Sequence, residues 1–172
     1  MNLEELNAQI RTCRKCRLWK LATHAVPGEG PSHARIMVVG QNPGEKEDKT
    51  GRPFVGRAGA FLNAILKKNV IDRKSLYITS VVKHKTPQNR KPKSDEIKAC
   101  MPYLIQQIRE INPDIIVLMG KVAWKTPPQK GITYIKTYHP AAAMRFPRFK
   151  EKFETDLKKL GEMYRICGKN KK

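Results

Sequence analysis

Short apolar runs separated by stretches of helical periodicity constrain this chain more than any other feature. Arg35-Ile-Met-Val-Val39, Leu76-Tyr-Ile-Thr-Ser-Val-Val82 and Ile115-Ile-Val-Leu-Met119 read as short buried strands. Ile132-Thr-Tyr-Ile135 reads as a fourth, leading into Tyr138-His139-Pro140. Between them the period changes. Phe61, Leu62, Ile65 and Leu66 mark a helix over about 58–68. Ile97, Met101, Leu104, Ile105 and Ile108 form a 3.6-residue stripe behind Ser94, a good N-cap, and Pro113 stops it. Leu3, Leu6 and Ile10 predict a short helix over 2–12, and 149–164 predict a last one. Strands alternating with helices predict an α/β fold, a three-layer α/β/α sandwich around a mainly parallel four-stranded sheet. Its site belongs at the carboxyl ends of the strands. The loops GQNPG (40–44), SVVKHK (80–85) and YHPAAAMR (138–145) all leave such ends.

The 172 residues are expected to form a single domain spanning 1–172, with a frayed basic tail over about 168–172. Lys and Arg number 35 against 15 Asp and Glu, a net charge of +20 that points to a polyanionic partner. No apolar run approaches a membrane span, and the first residues lack a signal peptide's apolar core. The expectation is a cytoplasmic, nucleoid-associated protein, with no membrane partner. Four cysteines in a reducing compartment suggest metal or reactivity before disulfides.

Cys13 and Cys16, in CRKC, form half of a metal or iron–sulfur site. Cys100 sits on the Ile97 stripe and reads equally as a small buried hydrophobe. His84 and Cys167 are both candidates for a fourth ligand. Asn42 can orient a water, because its amide both donates and accepts. A neutral His139 can donate to an oxygen that gains negative charge. Phe54, in a Gly/Pro loop, is available for stacking on a planar ligand. Lys83, Lys85 and Arg90, in the basic loop 83–93, are candidate phosphate contacts.

Taken together, these segments resemble the family-4 uracil-DNA glycosylases, the iron–sulfur branch of the uracil-DNA glycosylase superfamily. The resemblance rests on CRKC at 13–16, VPGEGP at 26–31, GQNPGEKED at 40–48, GRPFVGRAGAFLN at 51–63, YITSVVKHKTPQNRKP at 77–92, EIKACMPYL at 96–104 and TYHPAAAMR at 137–145. It implies the uracil-DNA glycosylase fold, a [4Fe–4S] cluster and a monofunctional enzyme. Such an enzyme flips a damaged base from DNA and hydrolyses its N-glycosidic bond, starting base-excision repair. Phe54 would stack on the flipped base and His139 would stabilise charge on its oxygen. Met144 and Arg145 would enter the minor groove.

The chain departs from the family pattern in four places. The usual Gly-Glu-Ala-Pro-Gly is Gly-Gln-Asn-Pro-Gly, so Gln41 and Asn42 resemble the water-activating motif of other branches; Asn42 is assigned the attacking water, and Gln41 is placed with Phe54 and Ser80 as base-binding. The Asn that usually reads the uracil edge is Ser80, whose hydroxyl makes fewer hydrogen bonds. This opens the pocket to thymine opposite guanine or to hypoxanthine. The third cluster cysteine falls at His84, giving an expected ligand set of Cys13, Cys16, His84 and Cys100 with Cys167 in reserve. The stretch from Gly120 to His139 is short, and the basic insertion of the crosslinking branch is absent after His84, which argues against a covalent DNA adduct. The expected partner is DNA carrying a deaminated or mismatched base, bound by a monomer. The competing classes are a non-catalytic iron–sulfur nucleic-acid-binding protein, a zinc-ribbon RNA-binding protein lacking its second CxxC, and a bifunctional lyase with a lysine nucleophile.

Overall fold

The structure, a computed structural model, describes residues 1–169. Four strands, β1 (Ile36–Gly40), β2 (Tyr77–Ser80), β3 (Ile115–Met119) and β4 (Thr133–Thr137), form one all-parallel sheet in the order β2-β1-β3-β4. The chain steps outward from β1 to β2, then crosses back to lay β3 on the other side of β1. The switch point therefore lies between the carboxyl ends of β1 and β3, where such sheets hold ligands.

Both faces are covered, as the fully buried apolar strands β1 and β3 require. Ile36 and Val38 of β1 point to the layer built by α3 (Arg57–Lys68) and α6 (Pro147–Lys169), with Leu62, Leu66, Phe153, Leu157 and Leu160. Met37 and Val39 point the other way, to Ile97, Cys100, Leu104 and Ile108 of α4 (Ser94–Ile111). A satellite cluster under α1 (Leu3–Arg11) joins Leu6 and Ile10 to Tyr103. Burying an aliphatic side chain of this kind contributes about 1.5–3 kcal/mol.

Two helices stand where loops are expected. α2 (Glu45–Thr50) follows Pro43-Gly44 directly, and α5 (Pro140–Arg145) opens with a proline at its first turn. Both are six residues long, too short to show an apolar period, and Pro and Gly read as punctuation when seen alone. A proline at the first helical position costs nothing, because that N–H would be unpaired anyway.

The ends of the predicted elements also shift. Ser94 is the first helical residue rather than the cap, and the start is closed by Glu96, whose Oε1 accepts the Lys93 N–H at 2.7 Å. The stop is Asn112, left-handed at φ 49, one residue before Pro113. β2 ends at Ser80, and Val81 and Val82 follow it with their N–H groups donating to the carbonyls of Gly40 and Gln41. α6 starts at Pro147 and runs to Lys169, so the first two positions of the expected frayed tail are helical, while 170–172 lie outside the described residues. No helix among the described residues is long and apolar enough to cross a membrane.

Candidate active site

The strand ends bring Gly40, Ser80, Gly120 and His139 into one row. Gly40 lies in register beside Ser80. Its missing side chain is required: a Cβ there would stand 2.5 Å from Phe54 Cζ and 3.3 Å from Ser80 Oγ. The Phe54 ring and the Ser80 hydroxyl thus meet over the tip of β1. A Cβ on Gly120 would stand 3.2 Å from His139 Cβ, so the end of β3 abuts the histidine. Phe54 and His139 close the row, with ring centroids 5.8 Å apart. Phe54 and Ser80 are buried, and His139 is half-buried.

His139 caps α5, its Nδ1 accepting the Ala141 N–H at 3.1 Å. That bond requires Nδ1 to be unprotonated, so the neutral ring carries its proton on Nε2. Burial pushes the pKa of His139 down to about 4, with the Glu47 carboxylate acting in the opposite direction. The ring is therefore a neutral Nε2–H donor at physiological pH.

Asn42 lies in the loop leaving β1. Its Nδ2 donates to the Pro43 carbonyl at 2.9 Å, and its Oδ1 accepts from Gln41 Nε2 at 3.0 Å. The amide is thereby oriented, with one lone pair of Oδ1 left over as an acceptor. Gln41 acts here on Asn42.

Glu47, which the sequence reading passes over, couples this loop to that of Phe54. Its Oε1 accepts the Gly44 N–H at 2.9 Å, and its Oε2 accepts those of Val55 and Gly56 at 2.9 and 2.7 Å. The available signal was a Glu three residues after a glycine at a helix start, a capping-box spacing. Its neighbour Asp48 is buried and accepts the N–H groups of Thr23 and His24 at 2.8 and 3.1 Å.

The three cations singled out in the basic loop are each engaged within the protein. Lys83 is 1% exposed. Its Nζ donates to Thr79 Oγ1, Ser80 O and Gln107 Oε1 at 2.7, 2.6 and 2.8 Å, which corrects its expected role as a DNA contact. Burial lowers its pKa to about 7. Lys85 faces Asp48 at 3.9 Å, and Arg90 makes two bonds to Glu96 at 2.8 and 2.9 Å. Both cations are engaged within the protein. Met144 and Arg145, on α5 just beyond His139, are exposed.

Cys13 and Cys16 are half-buried and Cys100 is buried. Burial pushes the Cys100 thiol up to about 11; the Lys83 N–H opposes this, and the nearby Cys16 and Cys13 add to it. The donors have the chemistry of an iron–sulfur site, but the geometry does not assemble one. Among the described residues no three His, Cys, Asp or Glu stand together as a metal-holding group. His84 is buried, and the charge acting on it is that of Asp48. The structure thus does not gather His84 and the three thiols into one group. The side chain of Cys167 lies outside the described part; its helix α6 packs on the opposite face of the sheet from α4.

The uracil DNA glycosylase superfamily model matches residues 27–161, which hold all four strands. The chain belongs to the uracil DNA glycosylase superfamily. It is 42% identical to a type-4 uracil-DNA glycosylase of Sulfurisphaera tokodaii, over 94% of this chain and 84% of that protein. It is 37% identical to a type-4 enzyme of Archaeoglobus fulgidus, over 98% and 94% respectively. A type-5 uracil-DNA glycosylase of Pyrobaculum aerophilum is 30% identical over 72% of this chain and 61% of its own. Within this superfamily, the row formed by Ser80, Phe54 and His139 at the strand ends is the candidate active site.

Proposed function

We propose that this chain is a monofunctional DNA glycosylase that takes uracil out of the helix and hydrolyses its N-glycosidic bond. The observation that carries the reading is the His139 Nδ1–Ala141 N–H bond, which leaves a neutral Nε2–H donor 5.8 Å, ring to ring, from Phe54. A base inside a duplex presents none of its glycosidic atoms to a protein, so it must be extruded first. The extruded base stacks on Phe54 beside Ser80. The C1′–N bond breaks with its electron pair leaving on the base, and the sugar gains oxocarbenium character. His139 Nε2–H donates to the base oxygen on which the charge accumulates. Asn42 Oδ1 holds the water whose oxygen then bonds to C1′, and the water's proton passes to solvent. Met144 and Arg145 fill the gap left in the duplex.

Ser80 sets the finer substrate range. A hydroxyl cannot read both polar positions of a uracil edge as an amide does, so thymine opposite guanine and hypoxanthine are included as substrates. The partner is DNA bearing a deaminated or mismatched base, bound by a monomer of the +20 chain as a nucleoid-associated protein.

A [4Fe–4S] cluster on Cys13, Cys16, Cys100 and His84 completes the reading. The support is the CRKC pair at 13–16 and the likeness to type-4 enzymes. Such a cluster would tie the N-terminal segment to α4 structurally and take no part in the bond cleavage. Iron analysis of the purified protein and of Cys13→Ser and His84→Ala variants tests the ligand set.

The function is tested with oligonucleotides carrying uracil, thymine or hypoxanthine, paired and unpaired, followed by alkaline cleavage of abasic sites. Release of uracil that is lost in Asn42→Ala supports the proposal. Binding of DNA with no release from any substrate would overturn it in favour of a non-catalytic nucleic-acid-binding protein.

A further inference from the structure

Phe54 has φ 49, in the left-handed region where a non-glycine side chain is strained. Such a conformation persists only where its surroundings over-determine it. Here the peptide group after Phe54 is held from both sides. Its carbonyl oxygen accepts from Arg73 Nη1 at 2.9 Å. Its N–H, on Val55, donates to Glu47 Oε2 at 2.9 Å. Arg73 also reaches the preceding peptide, its Nη2 donating to the Pro53 carbonyl at 2.7 Å.

Arg73 comes from a 3₁₀ turn (Arg73–Ser75) between α3 and β2, remote in sequence from the loop it holds. Its side chain is 22% exposed, and burial pushes its pKa below the usual arginine value, opposed by Glu29. A half-buried guanidinium is thus shared among two adjacent main-chain carbonyls, Asn63 Oδ1 at 2.6 Å and Glu29 Oε1 at 3.4 Å. Gly59 makes the approach possible: a Cβ there would lie 2.0 Å from the Phe54 carbonyl oxygen.

We infer that Arg73 and Glu47 form a two-sided clamp on the Phe54–Val55 peptide that presets the Phe54 ring for stacking, with Arg73 a positioning residue for base capture. The proposal rests on the glycosylase reading for the identity of the base, and on the geometry alone for the clamp. Without Arg73 the carbonyl side of the peptide is released, Glu47 alone holds its N–H side, and Phe54 relaxes towards negative φ. The ring then leaves its place over Gly40 and beside His139.

The test is a double-mutant cycle with an independent structural readout. Arg73→Met is expected to lower kcat/KM for uracil-containing DNA by roughly tenfold to a hundredfold, the loss typical of a misplaced reactive geometry. In a Phe54→Leu background the same change is expected to add almost nothing, because Arg73 acts through that ring. The Val55 amide, followed by hydrogen exchange, is expected to lose protection in Arg73→Met while β3 amides keep theirs. Arg73→Lys, which keeps the charge facing Glu29 but supplies fewer directed donors, is expected to fall between, and it stands in if the methionine variant does not fold. Unchanged Val55 protection, or losses that multiply fully in the double mutant, would overturn the clamp. A wild-type protein that releases no uracil would overturn the glycosylase reading instead, and the clamp is then judged on the Val55 exchange alone.

Discussion

The Lys83 ammonium lies 2.6 Å from the carbonyl oxygen of Ser80, the residue that ends β2 beneath the candidate base-binding row. Its remaining bonds go to Thr79 and Gln107, and Gln107 Nε2 continues to the Pro27 carbonyl at 2.9 Å and to Asn7 Oδ1 at 3.0 Å. Three acceptors match the three N–H groups of an ammonium. One buried lysine amine therefore ties the site strand to α4 and, through Gln107, to α1.

Replacing Lys83 with Met leaves those acceptors unpaired in the interior. Each unsatisfied buried group costs about 1–3 kcal/mol, so a clear drop in melting temperature is expected. The salt dependence of DNA binding should not change, because a buried lysine touches no phosphate.

Arg145→Ala has the opposite profile. Arg145 is exposed at the far end of the α5 helix that His139 caps and is expected to contact DNA. The slope of log K against log salt should fall by roughly one unit, with the melting temperature nearly unchanged. Fluorescence-anisotropy titrations at several salt concentrations, run on both variants, separate the two roles.

Glu47→Gln keeps the shape but removes the charge that three main-chain N–H groups address. Its amide nitrogen would also face donors on one side. Charge-assisted bonds of this kind contribute about twice as much as neutral ones. Activity should drop roughly tenfold or more as the Asn42 and Phe54 loops lose their common anchor. Single-turnover kinetics on uracil-containing DNA measures it.

His139 sets the pH profile. With its folded pKa near 4, the ring is neutral throughout the physiological range, so the rate should show no inflection at the ordinary histidine value of about 6.5. The unfolded chain binds the proton more readily than the native one. The contribution of His139 to stability is therefore present above about 6.5 and lost as pH falls from there towards 4. A single-turnover rate that falls near 6.5 would mean that protonated His139 is accessible in the working enzyme.

Glu96 gives a second, more acidic window. The Arg90 guanidinium, followed by the Lys93 N–H, holds its carboxyl down near 2, against the desolvation of its burial. The stability it supplies is present above the ordinary glutamate value of about 4.3 and is lost as pH falls through 2. Acid unfolding followed by circular dichroism should lose this component in Glu96→Gln.

The strand order in sequence, the α3 and α4 stripes and the three loops at strand ends were legible in the chain. Each depends on apolar spacing within one segment, and burial on both sheet faces leaves that spacing no choice. Phe54 and His139 were readable as candidates from a Gly/Pro loop and a strand end, whereas Ser80 entered only through the resemblance to the family. α2 and α5 were not legible, because six residues carry too little period to outweigh Pro and Gly.

Sequence alone determined that the chain has four strands in this order, with the loops after them at one end of the sheet, and that it carries a strong positive excess. Only the tertiary structure decided which charges remain available. Lys83, Lys85 and Arg90 look alike in a basic loop, yet one is buried against Gln107, one faces Asp48 and one is paired with Glu96. Tertiary structure likewise decided that Arg73 and Glu47 converge on the Phe54–Val55 peptide. The physical reason is range. Hydrophobic spacing acts through nearest turns and strands, whereas a buried charge is settled by whichever partners the packed layers bring to it from elsewhere in the chain.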